Sequence, residues 1–208
     1  MLRIIRYAAI ALIAVLAAGW GAWWLRDGGA GRLGLDNVGL TIPGGVSLGG
    51  PFALVDTTGA PVTDASYRGR WMLIYFGFTS CPDVCPTELQ TVSAALDRLG
   101  PLATKIAPIF ITIDPERDTP AALAEYVKLF DDRLIGLSGT PDQIAAAARA
   151  YRVYFARAKS KDASSYLMDH SSFVYLVGPD GTFRALFRQG MTVDEMAEAL
   201  KSRLSGGG

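Results

Sequence analysis

From Trp71 to Phe78 the chain runs through eight uncharged residues, WMLIYFGF, and passes at once into Thr79-Ser80-Cys81-Pro82-Asp83-Val84-Cys85. An apolar and aromatic run of that length, followed by turn-forming residues, is the pattern of a strand buried on both faces. Behind the loop, Leu89, Val92, Leu96 and Leu99 recur at helical spacing between Pro86 and Leu99. A second buried run, Ile106–Ile113, follows. Strand, helix and strand in that order make a βαβ unit, so the chain is expected to be α/β, with helices on both faces of the sheet.

The remaining elements alternate in the same way. Phe52–Val55 reads as a short strand leading to a turn around Gly59. Pro120–Phe130 and Pro141–Ala150 read as helices, each with a Thr-Pro start that supplies a cap and a preset first residue. Thr140 with Gln143, and Thr192 with Glu195, fit the capping box. Cys85-Pro86-Thr87-Glu88 has a similar shape, which places Cys85 at a helix cap. Leu134–Leu137 and Val153–Ala156 are short strand candidates. Phe173–Val177 and Phe183–Phe187 flank Gly178-Pro179-Asp180-Gly181, a hairpin signal, and Val193–Leu204 closes the chain as a helix. A βαβ unit followed by a ββα unit is the arrangement of a thioredoxin-like fold: a mixed central sheet flanked by helices, here over residues 51–204.

The N-terminal part is of another kind. Tyr7 to Leu25 carries no charge, and its nineteen residues as a helix would rise about 28 Å, close to a bilayer's hydrocarbon thickness. Arg3 and Arg6 precede it, and Trp20, Trp23 and Trp24 crowd its far end, as anchors at a membrane interface do. Residues 1–26 are therefore expected to form a transmembrane helix. A cleaved signal peptide ending near Ala17-Ala18-Gly19 is the competing reading, but the apolar stretch exceeds the usual 7–15 residues or so. Either way the domain lies outside the cytoplasm. The short basic leader does not resemble a mitochondrial transit peptide, which points to a bacterial inner membrane with the domain facing the periplasm. Residues 27–50 form a Gly-rich linker, and 205–208 read as a disordered tail. Of 20 basic residues three lie in 1–26, so the rest carries 17 bases against 20 acids; that balance argues against nucleic acid as a partner.

The chemistry concentrates on three residues. The chain has two cysteines, four positions apart, and one histidine. Two cysteines make no disulfide framework, and a ring this small removes little unfolded-state entropy, so a purely structural bond is the weaker reading. Cys81 and Cys85 follow a buried strand and open a helix, where backbone N–H groups and the helix dipole favour thiolates; their pKa is expected to fall. Thiol–disulfide oxidoreductases usually separate their cysteines by two residues, whereas three lie here. The wider ring still closes as a disulfide and, when reduced, leaves room for one soft metal ion. His170 precedes the strand Phe173–Val177. If that strand runs antiparallel to Trp71–Phe78, its start lies beside the other's end and brings the imidazole to the sulfurs. Two thiolates and an imidazole suit copper, and zinc with an open fourth position also fits. No proline occurs from Asp142 to Gly178, so the proline that faces the cysteines in thioredoxin-type oxidoreductases has no counterpart.

Three motifs carry a resemblance: Phe76-Gly77-Phe78-Thr79-Ser80-Cys81-Pro82-Asp83-Val84-Cys85-Pro86, then Ile113-Asp114-Pro115-Glu116-Arg117-Asp118-Thr119-Pro120, then Asp169-His170-Ser171 with Tyr175-Leu176-Val177-Gly178-Pro179-Asp180-Gly181. Together they resemble the Sco/SenC family of copper chaperones over about residues 50–204. The resemblance implies a thioredoxin-like fold, copper held by Cys81, Cys85 and His170, and a single membrane anchor. It further implies a metallochaperone serving the dinuclear CuA site of cytochrome c oxidase subunit II. Subunit II, the membrane and other copper chaperones are then the partners. An enzymatic alternative makes Cys81 and Cys85 the redox-active pair of a thiol–disulfide reductase that keeps the target's cysteines reduced. Asp114 and Asp83 read first as loop and turn residues, Asp169 as a group that orients His170 or faces solvent, and Met191 as a packing residue.

Overall fold

In the computed structural model, residues 48–158 and 166–206 are described, together with Val15. The chain divides into two compact units, Met1–Asn37 and Val38–Gly208. In the first, Val15 alone is described, as a helical residue. The expected anchor therefore lies, Val15 apart, outside the described residues, as does the linker up to residue 47. Among the described residues no helix is long and apolar enough to cross a membrane.

The second unit is built on β3 (Trp71–Gly77) and β4 (Ile106–Thr112), every residue of which is buried. They run parallel, Trp71 opposite Ile106 and Gly77 opposite Thr112. The connection between them is α1 (Val84–Leu99), followed by a 3-10 segment. Helix α1 turns Cys85, Leu89, Val92 and Leu96 inward. Around this pair the sheet grows to seven strands in the order β2-β1-β5-β4-β3-β8-β9. Here β1 is Ala53–Asp56, β2 Pro61–Thr63, β5 Ile135–Ser138, β8 Phe173–Val177 and β9 Phe183–Arg188. The helices α2 (Pro120–Lys128), α3 (Pro141–Ala150) and α4 (Val193–Gly206) complete the domain. A second, two-stranded ribbon pairs β6 (Phe155–Arg157) with β7 (Met168–His170).

The capping expectations hold at three helices. Thr119 accepts the Ala122 N–H, and Thr140 and Thr192 exchange reciprocal hydrogen bonds with Gln143 and Glu195. At α1 the expectation is corrected. The helix begins at Val84 with Asp83 in the cap position, so Cys85 lies inside the first turn. Pro86 is accommodated there because the first four helical N–H groups have no partner within the helix. Helix α4 runs on to Gly206, two residues beyond the expected end. The turn between β8 and β9 closes through Gly178 N–H to Thr182 O at 2.8 Å, with Gly181 at φ 77°, where a side chain would be strained. Strand β8 runs antiparallel to β3, with Tyr75 opposite Val174, so the start of β8 lies beside the end of β3.

Candidate metal centre

The carboxyl ends of parallel strands are where an α/β sheet offers its loops to ligands. The turn that leaves β3 is closed by Cys81 N–H to Phe78 O at 3.2 Å and leads into α1. It leaves the two cysteines in different surroundings. Cys81 is half-buried ahead of the helix; Cys85, in the first turn, has no exposed surface. Both are free thiols. The Cys85 N–H, one of the helix's unpartnered donors, points at Cys81 Sγ at 3.4 Å.

Gly77 makes the burial of Cys85 feasible. A Cβ at that position would stand 2.8 Å from the Phe110 ring and 3.0 Å from Cys85 Sγ. In this close packing the Tyr75 hydroxyl donates to Cys85 Sγ at 3.7 Å. Burial pushes the Cys85 thiol up to about 12, against the pull of the Phe78 backbone N–H. The expected fall is thus reversed at Cys85: the helix terminus favours a thiolate, but loss of water around the sulfur outweighs it. A negative charge at that sulfur therefore calls for a cation in direct contact.

His170 approaches Cys85 from the other side. It ends β7, opposite Phe155, and its Nε2 stands 3.6 Å from Cys85 Sγ, although 85 residues separate the two. Its Nδ1 lies 3.1 Å from Ser171 O, an arrangement that puts the proton on Nδ1 and leaves the Nε2 lone pair facing the sulfur. Burial lowers the imidazole pKa, which keeps the ring neutral and able to bind metal at neutral pH. Tyr75 and Phe78 meet the imidazole in T-shaped contacts, with ring centroids 6.2 and 5.9 Å away. Cys81 and His170 line one open groove of about 290 Å³ together with Phe78, Val84, Tyr154, Met168, Asp169 and Ser172.

Cys85 and His170 form a donor pair for one soft ion; among the described residues no three His, Cys, Asp or Glu side chains are gathered closely enough to hold one. At about 2.3 Å from a thiolate sulfur and about 2.0 Å from an imidazole nitrogen, an ion would see Cys85 Sγ and His170 Nε2 at an angle of roughly 110°. No rearrangement of that pair is needed. Asp169 is exposed and the Nδ1 position is taken by Ser171, so Asp169 is not the orienting partner. Asp114 engages Arg117 and Tyr166, and Met191 is buried in the core. Tyr75 is a residue the sequence reading passed over. Its signal was a lone hydroxyl in a fully apolar strand, which has to find a partner inside.

A buried thiol, a half-buried thiol and an imidazole thus lie together at the mouth of a thioredoxin-like sheet. The SCO1/SenC family model matches residues 41–205. The human mitochondrial SCO1 homolog is 45% identical over 159 residues, 76% of this chain and 53% of the human protein, so the match spans about half of that relative. ScoI of Bradyrhizobium japonicum, solved with copper bound, is 47% identical at a TM-score of 0.69, covering 74% of this chain and 98% of that one. Arabidopsis thaliana ScoI, also solved with copper bound, is 40% identical at a TM-score of 0.72, covering 76% and 98%. The chain belongs to the SCO1/SenC family.

Proposed function

We propose that this protein is a copper carrier that holds one copper ion on Cys81, Cys85 and His170 and delivers it to the CuA site of cytochrome c oxidase subunit II. Residues 1–26 tether it to the bacterial inner membrane, 27–50 act as the leash, and the domain works on the periplasmic side. The observation that carries the reading is the 3.6 Å approach of His170 Nε2 to Cys85 Sγ beside Cys81. Copper-bound relatives of 40–47% identity support copper over zinc as the ion.

The two sulfurs divide the work. Cys85, buried and fixed by Tyr75, anchors the ion; Cys81, at the open groove, is the donor that an incoming ligand displaces first. Each partner donor that binds replaces one of these three, and the vacated thiolates regain protons from solvent. An anaerobic Cu(I) titration tests this: wild type binds one equivalent, and Cys81→Ala, Cys85→Ala and His170→Ala each weaken it severely. Unchanged affinity in all three variants refutes the reading.

One observation favours a second role. Both cysteines are free thiols, with the Cys85 N–H aimed at the sulfur of Cys81, the less buried of the two. As a reductase, Cys81 attacks a partner disulfide and Cys85 resolves the mixed disulfide; the partner gains two thiols while this chain gains one disulfide. That chemistry needs no imidazole, so disulfide reduction at wild-type rate in His170→Ala would favour it.

A further inference from the structure

The segment Asp114–Asp118, the second of the three sequence motifs, supplies no donor to the centre and yet grips both of its arms. Asp118 has no exposed surface. It accepts the Thr79 N–H at 3.0 Å, the Thr79 hydroxyl at 2.6 Å and the Thr112 hydroxyl at 2.6 Å. Thr79 lies two residues before Cys81, so this carboxylate pins the root of the cysteine loop to the end of β4.

Four residues earlier, Asp114 reaches the other arm. It is 3% exposed; one oxygen accepts the Tyr166 hydroxyl at 2.7 Å and the other accepts Arg117 Nε. With both oxygens engaged, it is not placed as a metal donor. Arg117 in turn donates Nη1 to the Tyr166 carbonyl at 2.9 Å and lays its guanidinium 3.9 Å from the Tyr166 ring centre. Arg157, on β6, covers the same ring at 4.5 Å and is paired with Glu116. The Tyr166 ring thus meets two guanidiniums, and both backbone and side chain of that residue are held. Tyr166 stands four residues before His170, and Arg157 pairs with Met168 within the ribbon. Arg117 also lies 6.0 Å from the ring of Phe78, which meets the His170 imidazole in a T-shaped contact.

We propose that Asp114, Arg117 and Tyr166 form a clamp that positions the β6–β7 ribbon so that His170 faces the cysteines, while Asp118 fixes the opposite arm on the same short segment. None of the three touches the metal; they are positioning residues. The proposal rests on His170 being the copper ligand, and its test separates the two ideas. His170 is the chain's one histidine, so its imidazole resonances report its surroundings without copper.

The variants are Tyr166→Leu, which removes ring and hydroxyl, and Asp114→Asn, each made in wild-type and His170→Ala backgrounds. In the copper-free full-length protein, Tyr166→Leu is expected to shift and broaden the imidazole resonances and speed amide exchange in β6–β7, with β3 and β4 unchanged. With copper, Cu(I) affinity falls about 10- to 100-fold, the range usual for groups that orient a metal ligand. The imidazole nitrogen coupling in the Cu(II) spectrum weakens, while thiolate-to-copper absorption remains. In the His170→Ala background the same substitution costs no further affinity. Asp114→Asn repeats the pattern at smaller amplitude. Equal affinity losses in both backgrounds, or unaltered imidazole resonances in Tyr166→Leu, overturn the clamp. If wild type binds no copper, the carrier reading falls instead, and the copper-free resonances and amide exchange still decide the clamp.

Discussion

Glu88 gives a pH dependence of stability that can be worked out in sign and size. It lies on α1, three residues beyond Cys85, and is 3% exposed. One carboxyl oxygen takes the Gly190 N–H, and Oε1 has no partner. Burial raises its pKa from 4.5 to about 7, with the Gly190 hydrogen bond opposing. The folded state thus holds the proton more tightly than the unfolded chain. Below pH 4.5 both states are protonated and nothing changes. Between 4.5 and about 7 the unfolded chain ionises alone, and stability falls as pH rises. Above about 7 both are ionised and the loss levels off. The interval corresponds to about 3 kcal/mol at most. Glu88→Gln removes this contribution. Urea unfolding of the reduced, copper-free protein from pH 4 to 9 measures it, because every other titrating group cancels between the two proteins. The variant is expected to gain on wild type by up to about 3 kcal/mol across that range. A stability difference that stays constant with pH refutes the reasoning.

Two other substitutions act on the sulfur end of the centre. Tyr75→Phe deletes the hydroxyl donated to Cys85 and should cost about 1 kcal/mol or less. It should also move the thiolate-to-Cu(II) absorption to longer wavelength, since the sulfur loses a donor that stabilises its electrons; an unmoved band sinks that role. Gly77→Ala drives a methyl into Phe110 and Cys85 Sγ. It should destabilise the domain by about 1–3 kcal/mol and lower copper affinity, as denaturation and competition titration would show; wild-type values in both contradict the close packing described.

The strands that dominate the domain were plain in the sequence because they are buried on both faces. Trp71–Phe78 and Ile106–Ile113 could hardly be anything else, and Thr-Pro starts marked α2 and α3. His170 was placed near the cysteines by one topological step, the antiparallel run of β8 beside β3, and the register of Tyr75 with Val174 bears that step out. The ribbon itself was only half visible. The expected strand Val153–Ala156 starts two residues before and ends one residue before Phe155–Arg157, and Met168–His170 is too short to show a period. The pKa of Cys85 was misjudged because a helix terminus can be read from sequence while burial cannot. The contacts of Tyr75 with Cys85 and of Arg117 with Tyr166 join residues 10 and 49 positions apart. Only the folded chain brings them together.

Among the described residues the ribbon that carries His170 shares no backbone ladder with the main sheet, whereas Cys81 lies in the turn after β3 and Cys85 in the first turn of α1. An ion held by all three residues, as proposed, would add one more tie between ribbon and sheet to those that Asp114 and Arg117 make through Tyr166. Occupying the proposed site would restrain the ribbon further, and emptying it would leave the ribbon to those ties.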